Sequence, residues 1–324
     1  MVRSAVLGGL LLAVVAGAGA RAQPAAPLPG VTQLPGVTVV APPIKDVPAL
    51  VQKFSQPVGD HRLARWEAAV CPSVRGMPAE YDRFVERRIK QIVVSVGGMA
   101  GGPRCRVDLA ILVVPDAQDV AKAIAGRHRG VLEETTRWPI DKSKLAAFVD
   151  GRNPVRVWRA TDEVQSTGGF ADQGDVPAQA AALLTLSNSL FAPREYSNGF
   201  ASRLTPFSDV AFTRVLVIVD GKQAGGLTAG QLSAYVAMVS LAQIRPDTDL
   251  DGVSSIMTLF ADRAAGRPPP RDLSFWDRAY LQSLYRTDGQ INAELQLSYM
   301  SDHIKREIAA HDVLTLSATQ AGAK

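Results

Sequence analysis

Three aspartates alternate with other residues in Asp247-Thr-Asp-Leu-Asp-Gly252. Carboxylates at alternate positions can converge on one hard cation, and the glycine permits the sharp turn of a calcium loop. Asp247, Asp249 and Asp251 are therefore the metal candidates, and calcium is the one cofactor the residues suggest. The second half of such a loop departs from the pattern. Ser254 stands where an apolar residue belongs, and Thr258 where a bidentate Glu would close the coordination sphere. The competing reading is a polar connection between helices with its acids in water. His303, Glu307 and His311 follow at four-residue spacing on one side of a C-terminal helix, which could be a metal face or an ordinary solvated surface. His61 and His128 have no partner nearby in sequence. No catalytic residue is assigned, because nucleophile elbows, phosphate loops and dinucleotide fingerprints are all missing. Gly225-Gly226 lacks the Lys or third Gly of a phosphate loop and reads as a turn.

Cys71 and Cys105 are the only cysteines. The start of the chain says which compartment they meet. Arg3, an apolar run over 5–15 and Ala20-Arg21-Ala22 have the layout of a secretory leader cut before Gln23. The apolar run is shorter than the roughly 20 residues that span a bilayer. The expected product is a periplasmic or secreted protein, not integral to the membrane once residues 1–22 are removed; a retained anchor is the alternative. In an oxidising compartment the two cysteines are expected to pair. Closing that loop would stabilise the fold by roughly 3 to 4 kcal/mol.

The full chain has 35 basic and 31 acidic residues, and losing Arg3 and Arg21 leaves 33 against 31. So small an excess provides no field for a polyanion, so nucleic acid is not expected as a partner. At 47% hydrophobic and 20% charged, the composition is that of a globular protein with a core.

Several elements must position these groups. Residues 23–48 are Pro-rich with a tandem Leu-Pro-Gly-Val-Thr and read as an extended tether. Within it, Val37-Thr-Val-Val-Ala41 loosely resembles the strand-forming boxes offered to the TonB energy-coupling protein, with a plain linker as the alternative. The folded domain is expected over 49–312, with a frayed tail over 313–324. Residues 78–96 have helical spacing, with Tyr81, Phe84, Val85, Ile89, Ile92, Val93 and Val96 inward and Asp82 among the solvated residues. Strands are expected at 107–114, 155–161 and 212–219, and a helix after the N-cap Asp116. An Ala-rich stretch at 178–190 reads as a possible helix. Capping boxes at Thr228-x-x-Gln231 and Ser274-x-x-Asp277 open two more helices, and a last one runs over 293–310. The expected class is α+β, with a small mixed or antiparallel sheet, an N-terminal helix and a mostly helical C-terminal half.

The order of strand, long helix, Ser255-Ile-Met-Thr-Leu-Phe260 and Trp276-Asp-Arg-Ala-Tyr-Leu-Gln-Ser-Leu-Tyr285 resembles an uncharacterised bacterial exported domain family related to zincin metallopeptidases. That resemblance implies a zincin-like fold, in which the long helix carries H-E-x-x-H and binds zinc. This chain departs at that point, with Tyr235-Val-Ala-Met-Val239 where the ligands would stand. The expectation is thus a non-catalytic envelope protein that binds an unknown envelope protein, peptide or ligand. The alternative is a hydrolase with an unrecognised site, helped by calcium.

Overall fold

The computed structural model describes residues 44–57, 62–132, 140–151, 153–165, 208–248, 250 and 252–321. All of these belong to one unit, Val39–Lys324. The leader, the box at 37–41, His61 and the Ala-rich stretch at 178–190 lie outside the described residues.

Among the described residues, four strands build a mixed sheet in the order β1-β2-β4-β3. They are β1 (Pro72–Arg75), β2 (Leu109–Val114), β3 (Val155–Gln165) and β4 (Ser208–Asp220). β1, β2 and β4 run parallel, with Pro72 opposite Leu109 and Leu109 opposite Val215; β3 closes the sheet antiparallel to β4. Alternation along the strands sends side chains to two separate cores. Leu109, Ile111, Val215, Val217 and Val219 face one core, and Ala110, Leu112, Leu216, Ile218 and Trp158 the other. Apolar burial on both faces explains why β2 and β4 read as nearly continuous aliphatic runs.

Helices cover each face. On the first lie α1 (Val47–Phe54) and α2 (Ala79–Ser95); on the second lie α3 (Ala117–Arg127) and α4 (Lys142–Asp150). After β4 come the one-turn α5 (Gly221–Ala224), then α6 (Ala229–Leu241), α7 (Leu259–Ala264), α8 (Phe275–Arg286) and α9 (Ala293–Ala321). Both expected capping boxes are formed, at Thr228/Gln231 and at Ser274/Asp277. The fold is mixed α and β with a small mixed sheet.

Several expectations are corrected. α1 starts at Val47, inside the stretch expected to be extended, because Pro48 falls in the first turn, where a missing N–H breaks no helical bond. On α2, Tyr81 and Phe84 are exposed at 49% and 41%, whereas Asp82 is buried. Asp82 turns in to accept the Met77 N–H at 3.3 Å, and burial raises its pKa. α9 continues past 310 to Ala321. β1 and α4 carry too short or too polar a signal to have been expected.

Gly76, directly after β1, has φ +113°, and a Cβ there would lie 1.9 Å from the Val113 carbonyl oxygen. Both the backbone angle and the contact with β2 require glycine. Gly76→Ala is expected to cost about 3 kcal/mol through strain and overlap. Urea denaturation reads this directly, and an unchanged midpoint would mean the end of β1 is free to shift.

Candidate functional site

The chain leaves β2 toward the second face, into α3, and leaves β4 toward the first face, into α5 and α6. In open sheets with parallel strands, this divergence opens a crevice at the carboxyl ends of the two strands. A cleft of about 380 Å³ lies there, lined by Asp116, Gln118, Asp150, Asn153, Arg156, Asp220 and Gln223 among others. Its volume falls in the range that holds small molecules. Arg152 lies outside the described residues.

Each wall follows from local structure. Asp116 is the N-cap of α3, and one of its oxygens accepts the N–H groups of Gln118 and Asp119, both at 3.0 Å. Those bonds hold its carboxyl below the usual range, with Lys222 and Arg156 adding to the effect. Asp220 ends β4 and caps α5 through the Gln223 N–H at 3.0 Å, while its other oxygen reaches the Ala117 N–H at 3.4 Å. Arg156, near the start of β3, is 8% exposed. Its Nη1 donates to the carbonyls of Phe148 and Val149 at 2.8 and 2.9 Å, at the end of α4. Its Nε is buried, with no hydrogen-bond partner among the described residues. A buried guanidinium donor left unpaired is costly, so it marks a place where a further acceptor would be favourable.

Sequence reasoning read Asp116 as a cap and did not single out Arg156. A signal was present: an arginine interrupts the apolar run Val155-Arg-Val-Trp158. What placed it beside two aspartates from other strands was the sheet order.

The earlier candidates fall elsewhere. Asp247 is exposed on a turn after α6, and Asp249 and Asp251 lie outside the described residues. His303 and Glu307 do lie together, 3.8 Å apart, but Arg286 inserts its Nη1 2.6 Å from His303 Nε2 and 3.7 Å from Glu307. A cation already occupies that face. His311 packs against the Phe275 ring at 4.9 Å. Among the described residues, no group of three or more His, Cys, Asp or Glu side chains is placed to hold a metal ion. No described helix is long and apolar enough to cross a membrane.

Helix α6, which contains Tyr235-Val-Ala-Met-Val239, is core. Every residue from Gln231 to Leu241 is buried. A helix end buried this way must satisfy its last carbonyls from outside. Val239 O accepts from Arg159 Nε and Nη2 at 2.9 and 2.7 Å, Ser240 O from Trp66 Nε1 at 2.8 Å, and Leu241 O from the Tyr285 hydroxyl at 3.1 Å. Desolvation lowers the Arg159 pKa to about 10, which leaves it a cation facing the negative end of the helix.

His303 gives a pH prediction. Burial first, then Arg286, pulls its pKa below the ordinary 6.5. The folded imidazole binds a proton less readily than the unfolded one. Its contribution to stability is therefore complete above 6.5 and lost as pH falls through the lowered folded value. Urea midpoints measured from about pH 5 to 7.5 should fall on the acid side, and His303→Gln should flatten that limb. An unchanged acid limb in the variant would assign the loss to other groups.

Set against protein-family models, curated proteins and solved structures, the chain matches none of them.

Proposed function

We propose that this chain is an exported envelope protein, periplasmic or secreted, whose folded domain binds a small polar ligand in the crevice between the carboxyl ends of β2 and β4. The observation that carries this reading is Arg156, a buried guanidinium with an unpartnered Nε lining a cleft that also holds Asp116 and Asp220. Donors and acceptors of both charges converge there, as they do where orientation of a polar molecule is fixed by a few groups. The leader-like first 22 residues support export.

Ligand binding raises the melting temperature in proportion to occupancy. Screening the purified protein against pools of polar metabolites should find one that raises it by about 5 °C or more at a hundredfold excess over Kd. Gln118→Trp, which fills the cleft, should abolish that shift. If no pool acts, or if the Trp variant responds equally, the crevice is not the site. Turnover of the bound molecule in the same screen would replace binding with hydrolysis. Recovery of the mature protein from the cytoplasmic fraction would remove the export part of the reading.

A zincin-like scaffold that has lost its metal helix is the second part of the proposal. Its support is the resemblance in 228–285 together with the apolar burial of α6. Elemental analysis is expected to find no stoichiometric zinc, and zinc accompanied by peptide cleavage would overturn it.

A further inference from the structure

Resting on the crevice reading, we propose that the ligand is a zwitterion, a free amino acid or short peptide. Its carboxylate takes the Nε–Nη2 edge of Arg156, and its ammonium takes Asp116 and Asp220. Arg156 spends both Nη1 protons on the Phe148 and Val149 carbonyls. What remains is Nε–H beside Nη2, and Nε has no acceptor among the described residues. That edge is a planar two-donor fork, and a carboxylate matches it with two parallel bonds.

The opposite requirement comes from the aspartates. Both N–H bonds to Asp116 go to Oδ1, which leaves Oδ2 without a hydrogen bond among the described residues. Asp220 accepts one N–H on each oxygen, so each retains a lone pair for a further donor. Asp150 lines the same cleft. A phosphate on Arg156 would set two negative charges against three carboxylates, which disfavours it. A bare amine would leave the guanidinium edge unanswered. A molecule that carries a carboxylate and an ammonium answers both, and Gln118, Asn153 and Gln223 remain to read its other polar atoms.

Calorimetric titration of the full mature chain tests this with the twenty free amino acids, a set of dipeptides, their N-acetyl and C-amide forms, inorganic phosphate and simple sugars. The expected result is binding by one or more free amino acids or dipeptides, with roughly thirtyfold or greater loss on either N-acetylation or C-amidation. Amino acids binding more tightly than dipeptides would identify the free amino acid, and the reverse order the peptide. Equal affinity for blocked and free forms, or binding of phosphate or sugars alone, overturns the zwitterion while leaving the crevice as a site. No binding by any probe, with no hit in the metabolite screen, overturns both.

Asp116→Asn separates recognition from folding, because asparagine caps a helix as well as aspartate does. The variant should melt like the parent and lose roughly thirtyfold in affinity for the free ligand, while its affinity for the N-acetyl form stays unchanged. Equal losses for both forms would deny Asp116 its ammonium.

Discussion

Asp277→Ala is expected to lower stability by about 5 kcal/mol, the largest effect of any single substitution discussed. The carboxylate is fully buried at the start of α8. One oxygen accepts the Ser255 hydroxyl at 2.6 Å; the other accepts the N–H groups of Ile256 and Ser274 at 2.7 and 2.8 Å. It thus closes its own capping box and also fastens the turn at Ile256–Thr258 to α8 from 22 residues away. Alanine strands two backbone donors and a hydroxyl in a dry interior, each worth about 1 to 3 kcal/mol. Burial raises the Asp277 pKa, so asparagine, which is neutral and has the same shape, removes a charge that burial disfavours. Asp277→Asn keeps an acceptor for the two N–H groups and is expected to cost about 1 to 2 kcal/mol. Urea denaturation of the two variants checks the pair. Equal losses would mean that charge, rather than hydrogen bonding, holds the junction.

Removing the disulfide is expected to cost about 4 kcal/mol on the chain-entropy account. Cys71 and Cys105 are bonded, with their Cα atoms 5.8 Å apart and 34 positions apart in sequence. They sit just before the parallel pair β1 and β2, so the bridge holds the two strand entries side by side. Around it, the Val70 N–H donates to Met99 O and the Gly101 N–H to Val70 O, both at 2.8 Å, and the Cys71 N–H donates to Asp108 at 2.8 Å. β1 has only four residues and lies at the sheet edge, with few ladder bonds of its own. A Cys71→Ala/Cys105→Ala variant should show the lower urea midpoint, and amide exchange should rise first in β1. A loss under about 1 kcal/mol would mean that the surrounding backbone bonds hold the edge without the bridge.

Elements with strong local signals were legible in the sequence. The two capping boxes, the Asp116 cap and the aliphatic runs of β2 and β4 formed where their residues indicated, because each depends on neighbours a few positions away. Local signals also misled. Tyr81 and Phe84 share the helical spacing of buried residues yet face outward, since spacing reports which residues share a side and not which side the sheet covers. α4 has a weak apolar pattern and is held by Phe148 packing edge-on to Trp158 at 5.6 Å, a contact set by strand order. The candidate site was the least legible part, since Asp116, Arg156 and Asp220 come from three separate strand ends.

By itself the sequence determined the short-range features: where helices begin and which runs are apolar on both faces. It also supplied the pair of cysteines that bond. Only the tertiary structure decided that β1, β2 and β4 lie parallel, that the chain diverges to opposite faces after β2 and β4, and that a buried arginine therefore lines one cleft with two aspartates. The reason is range. Caps and periodicity arise from contacts within one or two turns, whereas a crevice between strand ends depends on pairings over a hundred residues apart, which no local pattern encodes.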